Sequence, residues 1–164
     1  MDDGGCEQGA GVGKKPGEAV LADIAFWIIQ LPGWLLFAYL LVAQCTAALS
    51  YSVGVRMGTQ EAATCITDVG VGFFKGFAGA DLIFYTPVLG LGLVGHLSGA
   101  SWTDLVLGAA LGVTVYWPIV CLWTLRAVRG AAGWDLPKET QYWVVLPVIA
   151  AWGAMSLIIL LLGV

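Results

Sequence analysis

Gly70-Val71-Gly72-Phe73-Phe74-Lys75-Gly76-Phe77-Ala78-Gly79-Ala80-Asp81-Leu82-Ile83-Phe84-Tyr85-Thr86-Pro87, followed by apolar residues as far as His96, is long enough to cross a bilayer. It nevertheless carries an ammonium, a carboxylate, a phenol and a proline. An ionisable group at membrane depth is costly and marks a functional site unless a structural partner accounts for it. The rest of the chain must be read around this segment.

Composition sets the class. Of 164 residues, 59% are hydrophobic and 11% charged, and the mean hydropathy is +0.87. A soluble domain carries about 25% charged residues, so this chain cannot cover itself with polar surface. The expected fold is an all-α integral membrane protein whose four transmembrane helices form one antiparallel bundle, each helix holding a proline. Its surroundings are then the lipid bilayer. The formal charge of -4 and the absence of a basic stripe argue against nucleic acid as a partner.

Four spans follow from the apolar runs, at about residues 22–49, 69–97, 102–126 and 142–164. Residues 1–20 are Gly-rich with mixed charge and read as a flexible tail, leaving 21–164 as the single transmembrane domain. The first run is too long for a signal-peptide core, so it is retained. Gln30 and Gln44 lie fourteen residues apart, close to four turns, and so share a face from which they can bond neighbouring helices. Thr59 is a plausible cap for a helix that begins before the second span, and Arg56 and Glu61 stand where headgroups or a partner would meet them. Ser101 and Asp104 have capping-box spacing ahead of the third run. Pro137 suits a first helical turn before the fourth, which is the span best suited to face lipid.

Cations in short loops set the topology. Lys14 and Lys15 lie on the side of the termini, against Arg56, Arg126, Arg129 and Lys138, with Lys75 near the same surface. The positive-inside rule places both termini on the non-cytoplasmic side, in a plasma or inner membrane.

The candidate chemistry centres on Asp81. Lys75 lies six residues away, about 120° around the helix, so the two do not pair; Lys75 reads as an interfacial anchor reaching back toward Asp68. Tyr85 is one turn beyond Asp81 and within reach of its carboxyl group, while Pro87 frees the carbonyl of Ile83. Carboxylate, phenol and carbonyl together suit a proton or cation site. In the third span Pro118 frees the carbonyl of Thr114, and Tyr116 precedes it, so Thr114 and Tyr116 join the site. The run Tyr85 to Leu91 resembles Tyr116 to Leu122, a spacing found in inverted repeats. Pro32, Pro87, Pro118 and Pro147 are the expected kinks. Gly72, Gly76 and Ala80 in the second span and Gly108 and Gly112 in the third form small-residue strips where helices approach, within the chain or in a homo-oligomer or with a partner membrane subunit.

Other motifs fail on missing parts. Gly90, Gly92 and Gly95 satisfy GxGxxG inside a membrane run with no strand before it, and Gly9 to Lys15 lacks the glycine and hydroxyl of a phosphate loop. Cys6, Cys45, Cys65 and Cys121 are scattered, so no metal or redox motif forms and no cofactor is implied. His96 at the helix end reads as an interfacial residue. No nucleophile stands beside a base at recognisable spacing, so no catalytic motif is found and a lipid-modifying or lipid-binding enzyme ranks third among the readings. The expected function is a small transporter or channel-like component that moves a proton, cation or small solute past Asp81. The alternative is a non-catalytic subunit or assembly factor of a membrane complex.

Overall fold

A computed structural model describes residues 16–163, all helix and loop, as the apolar runs require. The elements are α1 (Pro16–Leu49), α2 (Tyr51–Met57), α3 (Ala63–Ala80), a π-helical turn (Asp81–Tyr85), α4 (Thr86–Ser98), α5 (Thr103–Val128) and α6 (Glu139–Leu162). Four segments are long and apolar enough to cross a membrane: Gly17–Leu49, Ala63–Ser98, Thr103–Val128 and Glu139–Leu162. The chain therefore has the makings of an integral membrane protein.

Boundaries differ from the sequence reading where local chemistry was silent. The tail expected over 1–20 is helical from Pro16, a residue that suits a first turn because its missing N–H has no helical acceptor there; residues 1–15, including Lys14 and Lys15, lie outside the described residues. The second span starts earlier than 69, at Ala63, but Thr67 breaks it with φ 64° and ψ 165°. Unbroken helix therefore starts just beyond Thr67. The residue before α3 is Ala62, not Thr59, whose hydroxyl bonds the Gly54 carbonyl at 3.2 Å instead. No side chain caps the start of α5, so the Ser101–Asp104 spacing is not used. α6 begins at Glu139, after Pro137 and earlier than residue 142, and ends at Leu162; Val164 is outside the described residues.

Prolines lie inside α1 (Pro32), α5 (Pro118) and α6 (Pro147), and Pro87 occupies the first turn of α4. The disturbance on the second span falls just before Pro87. There the Thr86 N–H reaches back five residues to the Asp81 carbonyl, forming the wide π turn. One extra residue in a turn rotates α4 relative to α3 by about 100°. The faces that α3 and α4 present are thereby uncoupled.

α5 packs against both α4 and α6, and α1 crosses α3 and α4. The core is Ile29 and Leu40 of α1, Tyr85, Leu89 and Leu93 of the second span, and Leu107, Ala110 and Leu111 of α5. Lipid tails are as apolar as these residues, so close packing rather than water exclusion must hold them together. Glycine permits it. A Cβ on Gly92 would lie 2.8 Å from the Leu107 Cα, so α4 and α5 meet backbone to backbone. Gly90 similarly receives Phe37, and Gly95 receives Trp102 and Thr103. The GxGxxG spacing is thus a packing surface. The strip expected to do this work does not: within the chain, a Cβ added to Gly72, Gly76 or Gly112 would find no heavy atom within 4 Å, and one on Gly108 would meet only the end of Leu160 at 3.7 Å. Ala80 is exposed as well. The outer surface is apolar, with Ile83 and Val69 both 83% exposed, as contact with lipid demands. α6 is the least buried of the four, with 17% of its apolar stretch buried against the other helices.

Candidate functional site

Asp81 sits at the π turn midway along the second span and is 7% exposed. Its Oδ2 accepts a hydrogen bond from the Gln44 side-chain amide at 2.8 Å. No cation joins it: among the described residues the one salt bridge is Arg129–Glu139, on the surface. Gln44 thus bonds across helices as its spacing suggested, and its partner is the carboxylate itself.

Tyr85 does not bond Asp81. Its hydroxyl lies 2.7 Å from the Thr114 Oγ1, and because Thr114 donates to the Ala110 carbonyl at 2.8 Å, Tyr85 is the donor of the pair. Thr114 is also where α6 comes near, since a Cβ on Gly153 would meet its Cγ2 at 3.0 Å. The Tyr85–Thr114 pair belongs to the packed core. Tyr116 is 68% exposed and belongs neither to the core nor to the site, because two residues along a helix from buried Thr114 is a turn of about 200°. The likeness between the Tyr85 and Tyr116 runs therefore has no counterpart in burial.

Asp81 instead faces a cavity of about 120 Å³. Gln44, Thr59, Gln60, Cys121 and Thr124 are polar or thiol residues of its wall, and seven aromatic residues make up its largest group: Tyr39, Phe73, Phe74, Phe77, Trp117, Trp134 and Tyr142. These rings pack on one another, with centroids 4.7 Å apart for Phe73–Phe77 and 6.4 Å for the stacked Phe74–Trp134 pair. Phe73, Phe74 and Phe77 lie on the same stretch as Asp81; the others arrive from α1, α5, α6 and the α5–α6 loop. Phe73 and Phe77 at one-turn spacing, a turn before Asp81, were the signal in the sequence.

One end of the cavity is closed by loops. Gln60 donates to the Ala43 carbonyl at 3.3 Å, the Asp135 N–H to the Cys65 carbonyl at 2.7 Å, and the Lys138 ammonium to the Gly58 carbonyl at 3.0 Å. Glu61, expected to face headgroups or a partner, is buried and accepts from Tyr142 at 3.1 Å, while Tyr51 donates to its backbone carbonyl at 3.0 Å. Burial, with Glu61 adding to it, raises the Tyr51 phenol above its ordinary pKa, so it stays a donor. Arg56 remains exposed. Lys75 makes no ion pair with Asp68; its ammonium lies 5.8 Å from the centre of the Tyr51 ring. The Arg129 and Glu139 side chains pair beside these loops.

A second polar cluster joins α1 to α4. The Trp34 indole N–H, which can only donate, bonds Gln30 Oε1 at 2.8 Å and so orients the amide. The Gln30 Nε2 then faces the Leu93 carbonyl at 3.2 Å and His96 Nδ1 at 2.8 Å. His96 Nδ1 is therefore the acceptor, and its ring stacks on Phe26 with centroids 5.0 Å apart. Reading His96 as an interfacial residue missed this, because only the fold brings Gln30 alongside.

Among the described residues no group of three or more His, Cys, Asp and Glu side chains is placed to hold a metal. Among the described residues Cys121 has no base bonded to it, the side-chain partner of Asp81 is the Gln44 amide, and that of Glu61 is the Tyr142 hydroxyl. What the cavity offers is a carboxyl group and aromatic rings, with no Lys, Arg or His among the described residues of its lining. No family model matches the chain, and no curated protein or solved structure does either.

Proposed function

We propose that the chain is a small transporter or channel-like membrane component in which a proton, cation or small solute passes the site around Asp81. The observation that supports this is a buried carboxylate, bonded to one neutral amide and to no cation, facing a cavity. Placing Asp at the centre of a spanning helix costs about 2.5–3.5 kcal/mol on insertion scales, and a structural role alone is served as well by Asn. In this reading the four spans form an antiparallel bundle in a plasma or inner membrane. Loops 50–62 and 129–138 face the cytoplasm and both termini the opposite side, following the cations Arg56, Arg126, Arg129 and Lys138. Tyr85 and Thr114 brace the wall rather than line it.

Purified protein in liposomes, assayed for proton and monovalent-cation flux with fluorescent indicators, should show a flux that Asp81→Asn abolishes while the protein elutes as the wild type on size exclusion. A well-folded wild type with no flux, or an unchanged flux in the variant, refutes the transport reading.

One observation favours a second reading, that of a subunit or assembly factor. Gly72, Gly76 and Gly79 leave open space along α3 where another helix, from a second copy or a partner subunit, can lie. Gly76→Leu should then abolish co-purification of that partner without destabilising the chain; unchanged assembly counts against it.

A further inference from the structure

The lining of the cavity narrows the class of ligand, resting on the reading of Asp81 as the ligand-binding carboxylate. We infer that the cavity binds a small organic ammonium ion, its charge against Asp81 and its alkyl groups against the rings of Phe73, Phe77, Trp117 and Tyr142. A proton needs only the carboxylate and gives no reason for an aromatic enclosure. A sodium, potassium or divalent ion must replace its water shell with several oxygen ligands, whereas this wall supplies chiefly carbon. An alkylammonium is weakly hydrated, carries its charge over methyl or methylene surface, and is attracted to ring faces as well as to the anion. A neutral apolar ligand would leave Asp81 desolvated and unpaired.

Size agrees. A cavity of about 120 Å³ is somewhat smaller than the ~150 Å³ that holds benzene, which suits a compact ammonium or the cationic head of a longer amine. Tyr39 and Phe73 are 53% and 51% exposed, so both stand at the rim of the cavity rather than deep within it. Gln44 completes the arrangement. By donating to Oδ2 it holds the carboxylate in one orientation and leaves the other oxygen for the ligand.

The test is calorimetric titration of the full chain, in a maltoside detergent free of quaternary ammonium groups, with tetramethylammonium chloride. Potassium chloride and tert-butyl alcohol serve as the inorganic-cation and neutral controls. Saturable binding of tetramethylammonium alone is expected, weakened about tenfold or more by Asp81→Asn and about threefold or more by Phe77→Leu. Phe77→Leu conserves an apolar wall, so it reads the aromatic contribution even where Asp81→Asn aggregates. Absence of saturable binding in the wild type, equal binding of potassium, or full affinity in both variants overturns the inference. Flux in liposomes without tetramethylammonium binding sinks the ammonium site and leaves transport standing; binding without any flux does the reverse.

Discussion

Adding a single methyl group at Gly92 should destabilise the protein, whereas the same addition at Gly72 should not. At Gly92 the new Cβ would stand 2.8 Å from the Leu107 Cα and 3.1 Å from its nitrogen, both backbone atoms of a packed helix. Carbon atoms at rest lie ~3.5–4.0 Å apart, so α4 and α5 would have to separate by the better part of an ångström. That disturbs Leu89, Leu93, Leu107 and Leu111, all of them fully buried. Overpacking of this kind costs about 1–3 kcal/mol, against a helix-propensity gain of about 1 kcal/mol for Gly to Ala. Gly92→Ala should therefore lose up to about 2 kcal/mol, and Gly92→Leu should not fold. Gly72, with nothing within 4 Å, keeps only the propensity term, so Gly72→Ala should be neutral or slightly stabilising. Gly33 falls between, since its nearest neighbour is the mobile end of Leu93 at 2.6 Å. Unfolding in mixed micelles by added dodecyl sulfate, followed by circular dichroism, measures all three. Equal midpoints for Gly92→Ala and Gly72→Ala would refute the claim that α4 and α5 meet backbone to backbone.

Thr67 occupies a backbone region open essentially only to glycine, a strain of about 1–3 kcal/mol. Thr67→Gly should raise the unfolding midpoint in the same assay, and a lower midpoint would show that the weak bond from the Gly70 N–H, 3.4 Å long, outweighs the strain. Gln30→Leu removes the partner of Trp34, His96 and the Leu93 carbonyl together and should cost about 1–3 kcal/mol. Trp34→Phe, which deletes one of these bonds, should cost less; equal losses would mean that the cluster contributes only through the indole.

Much of the architecture was legible in the chain because it depends on the solvent. Backbone groups in hydrocarbon must bond within their own helix, and a chain with so few charges has nowhere else to fold, so four apolar runs separated by polar loops specify four spans. Asp81 was legible for the same reason, as a carboxylate where carboxylates are costly. Gln44 and Gln30 stood out as polar residues on an apolar helix, without their partners being visible. The pairs Gly92 and Gly95 and Gly72 and Gly76 are each spaced by about one helical turn, and no local rule separates a strip that meets a helix from one that meets open space.

Sequence alone determined the all-helical class, the number of helices long and apolar enough to cross a membrane, and the presence of an acid, Asp81, deep within one of them, since each follows from the cost of placing polar groups in lipid. Tertiary structure alone decided what the acid faces. The π turn before Pro87 sets Asp81 toward the Gln44 amide and an aromatic cavity while Tyr85 turns to Thr114. Those contacts join residues 37 and 29 positions apart, and such pairings depend on helix rotation and distance of approach, which the spacing of residues along one helix does not encode.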